Sequence, residues 1–398
     1  MKKKTDVIII GAGPAGLMAA NHIKEDTIIL EKKDTPGRKL LISGAGQCNY
    51  TNNCSLKTFF ENYGSNKRFV QYALSKFTNK ESIEFFKVKG LESDVREDLK
   101  VFPASSKAED SVKALLKDLK HPIIYNSTVK SIHKSGDSFI VKSSTGEYHS
   151  KKIVIATGGR TYPKTGSTGD GYEFARMLDI PVTKLSNGLC GIKTVENFSS
   201  LSGISLKNIT GSIYRENKKI KEITGDLLIT HEGLSGPMII NNAREMQVND
   251  LIKINFVNEN YQSFDKTLIN LSQKHSKKDI INALKILNLP NGLLEFLVKE
   301  IDYHKNSAQL SKQDRKILVK AFVEQTFKIK EVGTLHNAMV TVGGVDLRAV
   351  NSKTMAIKKN GNIYCIGEVL DVDGNTGGFN IQWAFSSAYL ASKSINNN

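Results

Sequence analysis

Near its start the chain reads VIIIGAGPAGLMAA over Val7–Ala20. The β-branched run before the glycines is typical of a buried strand, and the residues after them are typical of a helix. A second buried strand is predicted at Thr27–Leu30, and it ends at Glu31, twenty residues after Gly11. Strand, glycine turn, helix, strand and acid in this order form the complete fingerprint of a dinucleotide-binding βαβ unit.

The residues of this fingerprint have separate physical roles. Gly11 permits the tight turn, Gly13 lets the backbone approach a pyrophosphate, and Gly16 lets helix and strand pack closely. The amides of the first helical turn, among them that of Ala15, offer partial positive charge to the phosphates. The carboxylate of Glu31 accepts hydrogen bonds from ribose hydroxyls. We therefore expect a bound dinucleotide.

Later glycine segments favour FAD. The segment Gly37–Gly44 (GRKLLISG) suits a long dinucleotide whose second half continues past the first strand. A buried strand at Lys152–Ala156 ends in TGG, and another near the C-terminus leads into the dipeptide GE. Gly377–Ala384 is typical of a glycine turn that opens a helix, whose amides would stabilise negative charge on a reduced flavin. No second fingerprint follows a strand in the middle of the chain, so we expect no separate NAD(P)H-binding Rossmann domain.

Composition and charge narrow the class of protein. The chain has 398 residues, of which 39% are hydrophobic and 24% charged, which excludes disordered and collagen-like classes. Its apolar runs are too short to span a bilayer, and no secretory cleavage site follows the N-terminal lysines. The four cysteines form no C-x-x-C pair, so neither a zinc ribbon nor a disulfide framework is supported, and we predict no metal and a reducing cytoplasm.

The formal net charge of +16 admits two explanations. A basic surface attracts polyanions such as nucleic acids. A general enrichment in Lys, Asn and Ile would produce the same excess without any such partner. Residues 251–330 contain fourteen Lys and Arg against eight Asp and Glu, a net charge of +6 that exceeds their proportional share. The candidate RNA-binding residues at predicted helix starts in this segment are Lys274, Lys277, Lys278, Arg315 and Lys316.

Two longer blocks carry a family resemblance. They read GRKLLISGAGQCNYTN over Gly37–Asn52 and TGSTGDGY over Thr165–Tyr172. With the fingerprint and the C-terminal segment GEVLDVDGNTGGFNIQWAFSSA, they span nearly the whole chain. The chain resembles the BaiN/YhiN-like flavoproteins, also described as aminoacetone-oxidase-like FAD-binding enzymes. It departs from many members at Gln47, where they have Arg.

The resemblance implies an α/β fold with a glutathione-reductase-like Rossmann FAD domain in two pieces and inserted β-barrel-like and small helical domains. We place the FAD-binding domain at 1–187 and 346–398, the β-rich insert at 188–250 and 331–345, and the basic helical insert at 251–330. The region 53–120 is predicted to be helical, and 121–155 a β-meander. Together, motifs and resemblance assign FAD contacts to Gly11, Gly13, Ala15, Gly16, Glu31, Arg38, Lys39, Ser43, Gly44, Asn49, Thr51, Asn52, Val129, Thr157, Gly158, Gly159, Gly367, Glu368, Gly378, Phe379, Asn380 and Ile381.

For function, the resemblance implies an FAD-dependent oxidoreductase that reduces a uridine of large-subunit ribosomal RNA to dihydrouridine, with NAD(P)H as electron donor. Such a reaction adds a hydride and a proton to the uracil ring, so an acid is needed near the substrate. The candidates are Cys48, Tyr162 and His231, each of which also has an ordinary structural explanation. Two alternatives remain open: an amine oxidase that uses oxygen, and a flavin-bearing RNA-binding assembly factor. The sequence leaves the oligomeric state open.

Overall fold

A computed structural model of the protein describes residues 2–196 and 198–397. The chain forms two compact units, the first from Met1–Gly188 with Leu335–Asn398 and the second from Leu189–Thr334. The predicted fold class is confirmed, since the first unit holds a parallel Rossmann-type sheet and the second a closed barrel.

The strands are β1 (Lys2–Ile10), β2 (Thr27–Leu30), β3 (Thr51–Asn52), β4 (Ser93–Val95), β5 (Lys100–Pro103), β6 (Ile123–Ile124), β7 (Val129–Ser135), β8 (Ser138–Ser143), β9 (Gly146–Ile155), β10 (Ser186–Gly188), β11 (Ile192–Thr194), β12 (Ser205–Arg215), β13 (Lys218–Ile229), β14 (Gly233–Ser235), β15 (Leu251–Asn255), β16 (Gln325–Val332), β17 (Val340–Val342), β18 (Ala356–Ile357) and β19 (Asn360–Cys365). The α-helices are α1 (Pro14–His22), α2 (Arg38–Leu41), α3 (Leu56–Glu61), α4 (Lys67–Lys76), α5 (Asn79–Val88), α6 (Ala108–Leu116), α7 (Asp170–Met177), α8 (Pro237–Ile240), α9 (Tyr261–Lys274), α10 (Ile280–Leu284), α11 (Asn291–Val298), α12 (Lys312–Val323) and α13 (Phe379–Asn397).

The main sheet of the first unit has the strand order β18-β19-β9-β1-β2-β6. From β19 to β6 neighbouring strands run parallel, and β7 and β8 join through β9. The β1 residues Val7–Ile9 have no exposed surface, as expected for a parallel sheet covered on both faces. Because parallel strands end at one edge, this edge carries the residues that follow β1, β2, β9 and β19, which is where α/β sheets bind ligands.

The region 53–120, predicted to be helical, contains α3–α6 but also the strands β4 and β5, which form a three-stranded sheet of order β3-β5-β4 with β3 just before this region. These strands have two to four residues each, which is too short for a periodic pattern to emerge from the sequence. In the predicted meander, β6 pairs in parallel with β2 instead of joining its antiparallel neighbours.

The second unit is a closed barrel of order β11-β14-β13-β12-β15-β16 with helices α9–α12 packed against it. Barrel residues such as Ile213 share one hydrophobic core with Phe264 of α9 and Phe322 of α12. The β-rich and helical inserts predicted as separate domains therefore form one unit. Their boundaries also differ from the prediction, because β15 and part of β16 come from residues 251–330, whereas β17 pairs with β10 in the first unit.

Within the described residues, every helix is too short or too polar to cross a bilayer. In the same part of the chain, no three His, Cys, Asp or Glu side chains come close enough together to hold a metal ion.

Candidate functional site

The turn between β1 and α1 requires glycine at two positions for reasons internal to the protein. Gly11 has a φ of +102°, and its N–H donates to the carbonyl of Leu30 at 2.9 Å. A Cβ added to Gly11 would lie 2.7 Å from the carbonyl oxygen of Ala156, and one added to Gly16 would lie 2.0 Å from the carbonyl oxygen of Gly11. These glycines hold the end of β1 against α1 and β9.

Gly13 is different, because a Cβ there would meet no protein atom within 4 Å. Its φ of −79° is ordinary for any residue, so neither packing nor backbone strain accounts for glycine. Gly13 is the N-cap of α1, and no side chain of the described residues caps this helix end. Open space in front of uncapped amides fits a pyrophosphate that approaches the backbone closely.

Glu31 lies beside this turn. One carboxylate oxygen accepts the N–H of Ala12 at 2.7 Å, and the other accepts the N–H of Lys33 at 2.8 Å. A carboxylate has about four acceptor sites, so this anchored group keeps capacity for ribose hydroxyls. The geometry therefore fits the predicted adenosine contact.

The loop that follows β9 contains a buried polar atom without a partner. Among the described residues, nothing hydrogen-bonds the hydroxyl of Thr157. Buried hydroxyls normally have partners, so an orphan beside the glycine pair Gly158 and Gly159 is expected where a ligand or water supplies one. A Cβ on Gly159 would lie 2.3 Å from the Thr341 hydroxyl and 2.5 Å from a carboxylate oxygen of Glu368, so this loop is packed tightly against the GE segment.

Lys39 and Glu368 form an ion pair at this edge of the sheet. The Lys39 ammonium lies 2.8 Å and 3.1 Å from the two carboxylate oxygens and donates to the Thr161 hydroxyl at 2.8 Å. One Glu368 oxygen also accepts the N–H of Thr341 at 2.9 Å. Sequence analysis did not identify Thr161 or Thr341, whose only signal was their position near glycine pairs. The pair joins α2, the loop after β9, β17 and the GE segment.

The first turn of α13 is fixed against the short strand β3. A Cβ on Gly378, which has a φ of +94°, would lie 2.3 Å from the carbonyl oxygen of Thr51. The side chain of Asn52 donates to the carbonyl of Gly377 at 3.2 Å, and the Thr51 hydroxyl donates to Gln382 at 2.6 Å. The helix N-terminus thus faces the same group of loops as the predicted flavin contacts.

Other predicted contacts have structural roles in this arrangement. The Asn380 side chain accepts the N–H of Gly374 at 2.8 Å and donates to its carbonyl at 2.9 Å. Ser43 donates to the carbonyl of Leu40 at 2.7 Å, and Arg38 pairs with Asp34 at 3.2 Å on the surface. Contact of Asn380, Ser43 and Arg38 with a cofactor stays a prediction. The same is true of Gly44 and Asn49, which lie near these loops, and of Val129, which lies in β7.

Cys48 is completely buried and has a φ of +61°. Burial raises the pKa of its thiol to about 11, because the protein interior disfavours the charged thiolate. The group therefore stays protonated near neutral pH, but it has no surface at which a substrate could take its proton.

The other two candidate acids lie in different units. Tyr162, which is half-buried in the first unit, has a left-handed backbone with a φ of +55° and donates its N–H to the carbonyl of Leu335 at 2.8 Å. Its own carbonyl accepts both the N–H and the hydroxyl of Thr165. His231 is exposed in the turn between β13 and β14 of the second unit. The structure thus places Cys48 and Tyr162 in one unit and His231 in the other.

A guanidinium is present beside Gln47, although the chain lacks the arginine common at that position. Arg96 donates to the Gln47 carboxamide at 2.5 Å and stacks 3.6 Å from the ring centroid of Phe102. Arg96 was missed in the sequence because it lies in the turn between β4 and β5, far along the chain from the loop it contacts.

The two basic stretches of the second unit meet at one end of its helices. Ser307 donates to the carbonyls of His275 and Lys278, at 2.6 Å and 2.8 Å, and nearby Lys305 pairs with Asp314 at 2.8 Å. This brings the end of α9 beside the start of α12. We define the lysine cluster as the exposed residues Lys274, Lys277, Lys278 and Lys316.

Arg315, predicted from sequence as an RNA contact, differs from these lysines. Its Nε donates to the carboxylate of Asp265 at 2.9 Å, and its side chain is only 19% exposed. Because this side chain is mostly buried, we do not count Arg315 in the lysine cluster.

A glycine turn after β1, an acid after β2 and a glycine loop after β9 lie together at the carboxyl edge of the parallel sheet. This arrangement is the architecture of dinucleotide-dependent redox enzymes. The protein is an FAD-dependent oxidoreductase. The chain belongs to the family described as HI0933-like protein Rossmann domain, whose profile matches residues 5–394. This confirms the resemblance inferred from the sequence blocks.

Individual relatives of the chain are named for different reactions. A ribosomal RNA dihydrouridine synthase of Haemophilus influenzae is 31% identical, with 99% of each chain covered. A 3-dehydro-bile acid delta(4,6)-reductase of Clostridium scindens is 25% identical, with 97% of each chain covered. Among solved structures, the open conformation of a flavocytochrome c3 fumarate reductase has a TM-score of 0.52 at 14% identity, covering 99% of this chain and 78% of that chain. That likeness shows a common fold.

Proposed function

We propose that the protein reduces a uridine in large-subunit ribosomal RNA to dihydrouridine, with NAD(P)H as the electron donor. A relative of this name aligns over 99% of both chains. The observation that favours RNA over a small molecule is the lysine cluster, whose exposed residues belong to α9, to the turn after it and to α12, at one end of the second unit. Such clusters bind phosphate backbones. A ribosomal substrate also implies a cytoplasmic location.

The residues around the turns would hold the cofactor. The amides of Ala15 and Gly16 would bind the pyrophosphate, with Gly13 leaving room for it, and Glu31 would bind the adenosine ribose. The pair of Lys39 and Glu368 would position the flavin half between the loops that it joins.

FAD, when bound, would supply the hydride-transfer chemistry that links oxidation of NAD(P)H to reduction of the uracil ring at C6. The C5–C6 double bond then needs a proton at C5, which the protein must provide. We assign this proton to the hydroxyl of Tyr162, because it is the accessible candidate in the unit that carries the cofactor turns, whereas Cys48 has no exposed surface.

Without a second nucleotide-binding fingerprint, NAD(P)H would use the same opening as the substrate, so its binary complex with the protein should be weak.

The deciding experiment compares ribosomal RNA from a deletion strain and from the same strain complemented with the wild-type chain. Mass spectrometry of nuclease fragments should find one dihydrouridine missing in the deletion strain and restored on complementation. Purified protein with NADPH should then add two hydrogens to that fragment in deletion-strain RNA. If deletion leaves every dihydrouridine in place, the proposed reaction is wrong.

A reductase acting on a small unsaturated substrate is the second candidate, favoured by the bile acid reductase among the relatives. An oxygen-using amine oxidase and an assembly factor without turnover, the alternatives left open by the sequence, make different predictions. The oxidase would form peroxide with aminoacetone, and the assembly factor would bind ribosomal RNA equally well after FAD is lost.

A further inference from the structure

A cavity of about 390 Å³ lies in the second unit between β12 and the segment that connects α10 to α11. Ligand sites in proteins are roughly 300–1,000 Å³, so this volume suits one small ligand. None of the residues that line it belongs to the cofactor turns or to the lysine cluster. The proposed reaction therefore leaves this cavity unexplained.

The floor of the cavity is apolar. Leu206 and Ile209 of β12 contribute to it together with Phe256, which follows β15, and all three side chains are buried in the barrel core. They leave only a small apolar patch at the floor, smaller than the polar surface of the rim. Proteins that read single-stranded RNA place unstacked bases against aromatic and apolar side chains.

The rim of the cavity carries polar groups with unused hydrogen-bonding capacity. Within the described residues, no side-chain partner is found for the Ser205 hydroxyl, the Lys207 ammonium or the Asn288 carboxamide. Two other polar residues of the rim are already engaged. Asn258 accepts from Thr210 and donates to Asn208, and Glu259 accepts from the hydroxyls of Ser263 and Thr267.

The free groups define the chemistry of the ligand. A carboxamide offers both a donor and an acceptor, as the Watson–Crick edge of a base requires, and an ammonium pairs with a phosphate. An apolar floor, one carboxamide, one hydroxyl and one cation thus match a nucleotide better than a lipid or a free anion. We propose that this cavity binds a single unpaired nucleotide of the RNA. The base lies over the apolar patch at the floor, Asn288 reads its edge, and Lys207 contacts its phosphate. The inference rests on the proposed function, because it takes RNA as the substrate.

The test is photo-crosslinking of the full-length, FAD-bound protein to a short single-stranded ribosomal RNA fragment that carries 4-thiouridine. Mass spectrometry should map the crosslinks to peptides that contain Phe256 or Asn288. Lys207→Gln combined with Asn288→Leu should reduce their yield about tenfold, since it removes one charged contact and one hydrogen-bonding edge. Lys221→Gln combined with Asn282→Leu is the matched control, because both residues are exposed in the same unit but do not line the cavity. The control should leave the yield unchanged.

Equal losses in both double variants, or crosslinks confined to other peptides, would overturn the inference. Dihydrouridine analysis of the deletion strain separates this outcome from a failure of the proposed function. If the modification is lost on deletion but no crosslink maps to the cavity, the nucleotide site is wrong and the reaction stands. If crosslinks map to the cavity and the deletion strain keeps all its dihydrouridine, the site stands and the reaction is wrong.

Discussion

The Lys39 ammonium and the Glu368 carboxylate lie 2.8 Å apart although 329 positions separate the two residues in the chain. Lys39 belongs to the short helix α2, which follows the first βαβ unit. Glu368 follows the last parallel strand, after the whole second unit has been inserted. Their side chains are 23% and 20% exposed, so solvent screens this pair less than an ordinary surface pair. The ion pair therefore joins the two sequence pieces of the FAD domain at the cofactor edge.

Lys39→Met and Glu368→Gln should each destabilise the protein and reduce its FAD content, because each leaves its partner's charge partly buried and unpaired. In a double-mutant cycle on urea unfolding, the coupling free energy should be about 0.5–3 kcal/mol. The exposed pair of Lys100 and Asp98 is the matched control, and Lys100→Met with Asp98→Asn should couple by less than about 1 kcal/mol. Equal coupling in the two cycles would mean that the Lys39 pair is an ordinary surface contact.

Gly13→Val should yield protein that folds but purifies without its yellow colour. The new side chain meets no protein atom, so folding is spared, but it occupies the open space in front of α1. Gly361→Val is a matched control, because a Cβ at Gly361 also meets nothing within 4 Å and this residue lies in β19, away from the turn. FAD content per chain, measured by absorbance after denaturation, checks both. Full retention of FAD in Gly13→Val would refute the assigned pyrophosphate position.

Local motifs made part of this site predictable. Gly11, Gly13 and Glu31 act through a continuous strand–turn–helix, so their spacing in the sequence determines their geometry. Thr161 and Thr341 could not be identified in the same way, because their roles depend on Glu368, which only the folded sheet brings near them. The contact between Arg96 and Gln47 escaped for the same reason.

Burial was the second property that the sequence could not supply. The sequence left open whether Cys48 is a proton donor or a small buried residue, and the structure encloses it completely. Charge pairing was the third property that the sequence could not supply. Arg315 counts as a free cation in the sequence, but the folded chain pairs it with Asp265. The barrel followed from family resemblance alone, because its short strands β11 and β14 carry little pattern of their own.

Tyr162→Phe should lower kcat for dihydrouridine formation by roughly 10²–10⁴-fold, the usual contribution of a positioned general acid. Cys48→Ala should change kcat far less, because the buried thiol has no access to substrate. Flavin reduction by NADPH should be unaffected in both variants, since it does not need this proton. A large loss of kcat in Cys48→Ala alone would assign the proton to the thiol instead.

The stability of the protein should fall as pH rises from 9 to about 11. Burial raises the pKa of Cys48 from 9.0 to about 11, so the folded state keeps a neutral thiol that the unfolded chain would already ionise. This contribution is fully present below pH 9 and is lost as pH rises through the folded pKa. It amounts to at most about 3 kcal/mol, because one pKa unit corresponds to roughly 1.4 kcal/mol.

Urea unfolding between pH 9 and about 11 should show a shallower decline in the free energy of unfolding for Cys48→Ala than for the wild type. An identical decline in both proteins would contradict the assignment of this effect to Cys48. Cys365, whose burial raises its pKa to about 12, keeps some decline in either case.

Replacing the lysine cluster with glutamine should weaken RNA binding and make it less dependent on salt. Phosphate contacts release counterions, and each contact to single-stranded nucleic acid contributes about 0.7 to the slope of log K against log salt. Loss of four contacts should therefore reduce the slope by about 3, with the flavin spectrum unchanged. Four exposed lysines of the first unit, Lys57, Lys80, Lys87 and Lys107, provide a control variant with the same change in net charge. Titrations with a ribosomal RNA fragment at several salt concentrations compare the two. If the control loses as much affinity and slope as the cluster variant, total charge rather than this end of the second unit attracts RNA. Arg315→Gln should leave RNA affinity nearly unchanged and lower the urea midpoint instead, because it breaks the ion pair with Asp265 without removing an exposed cation.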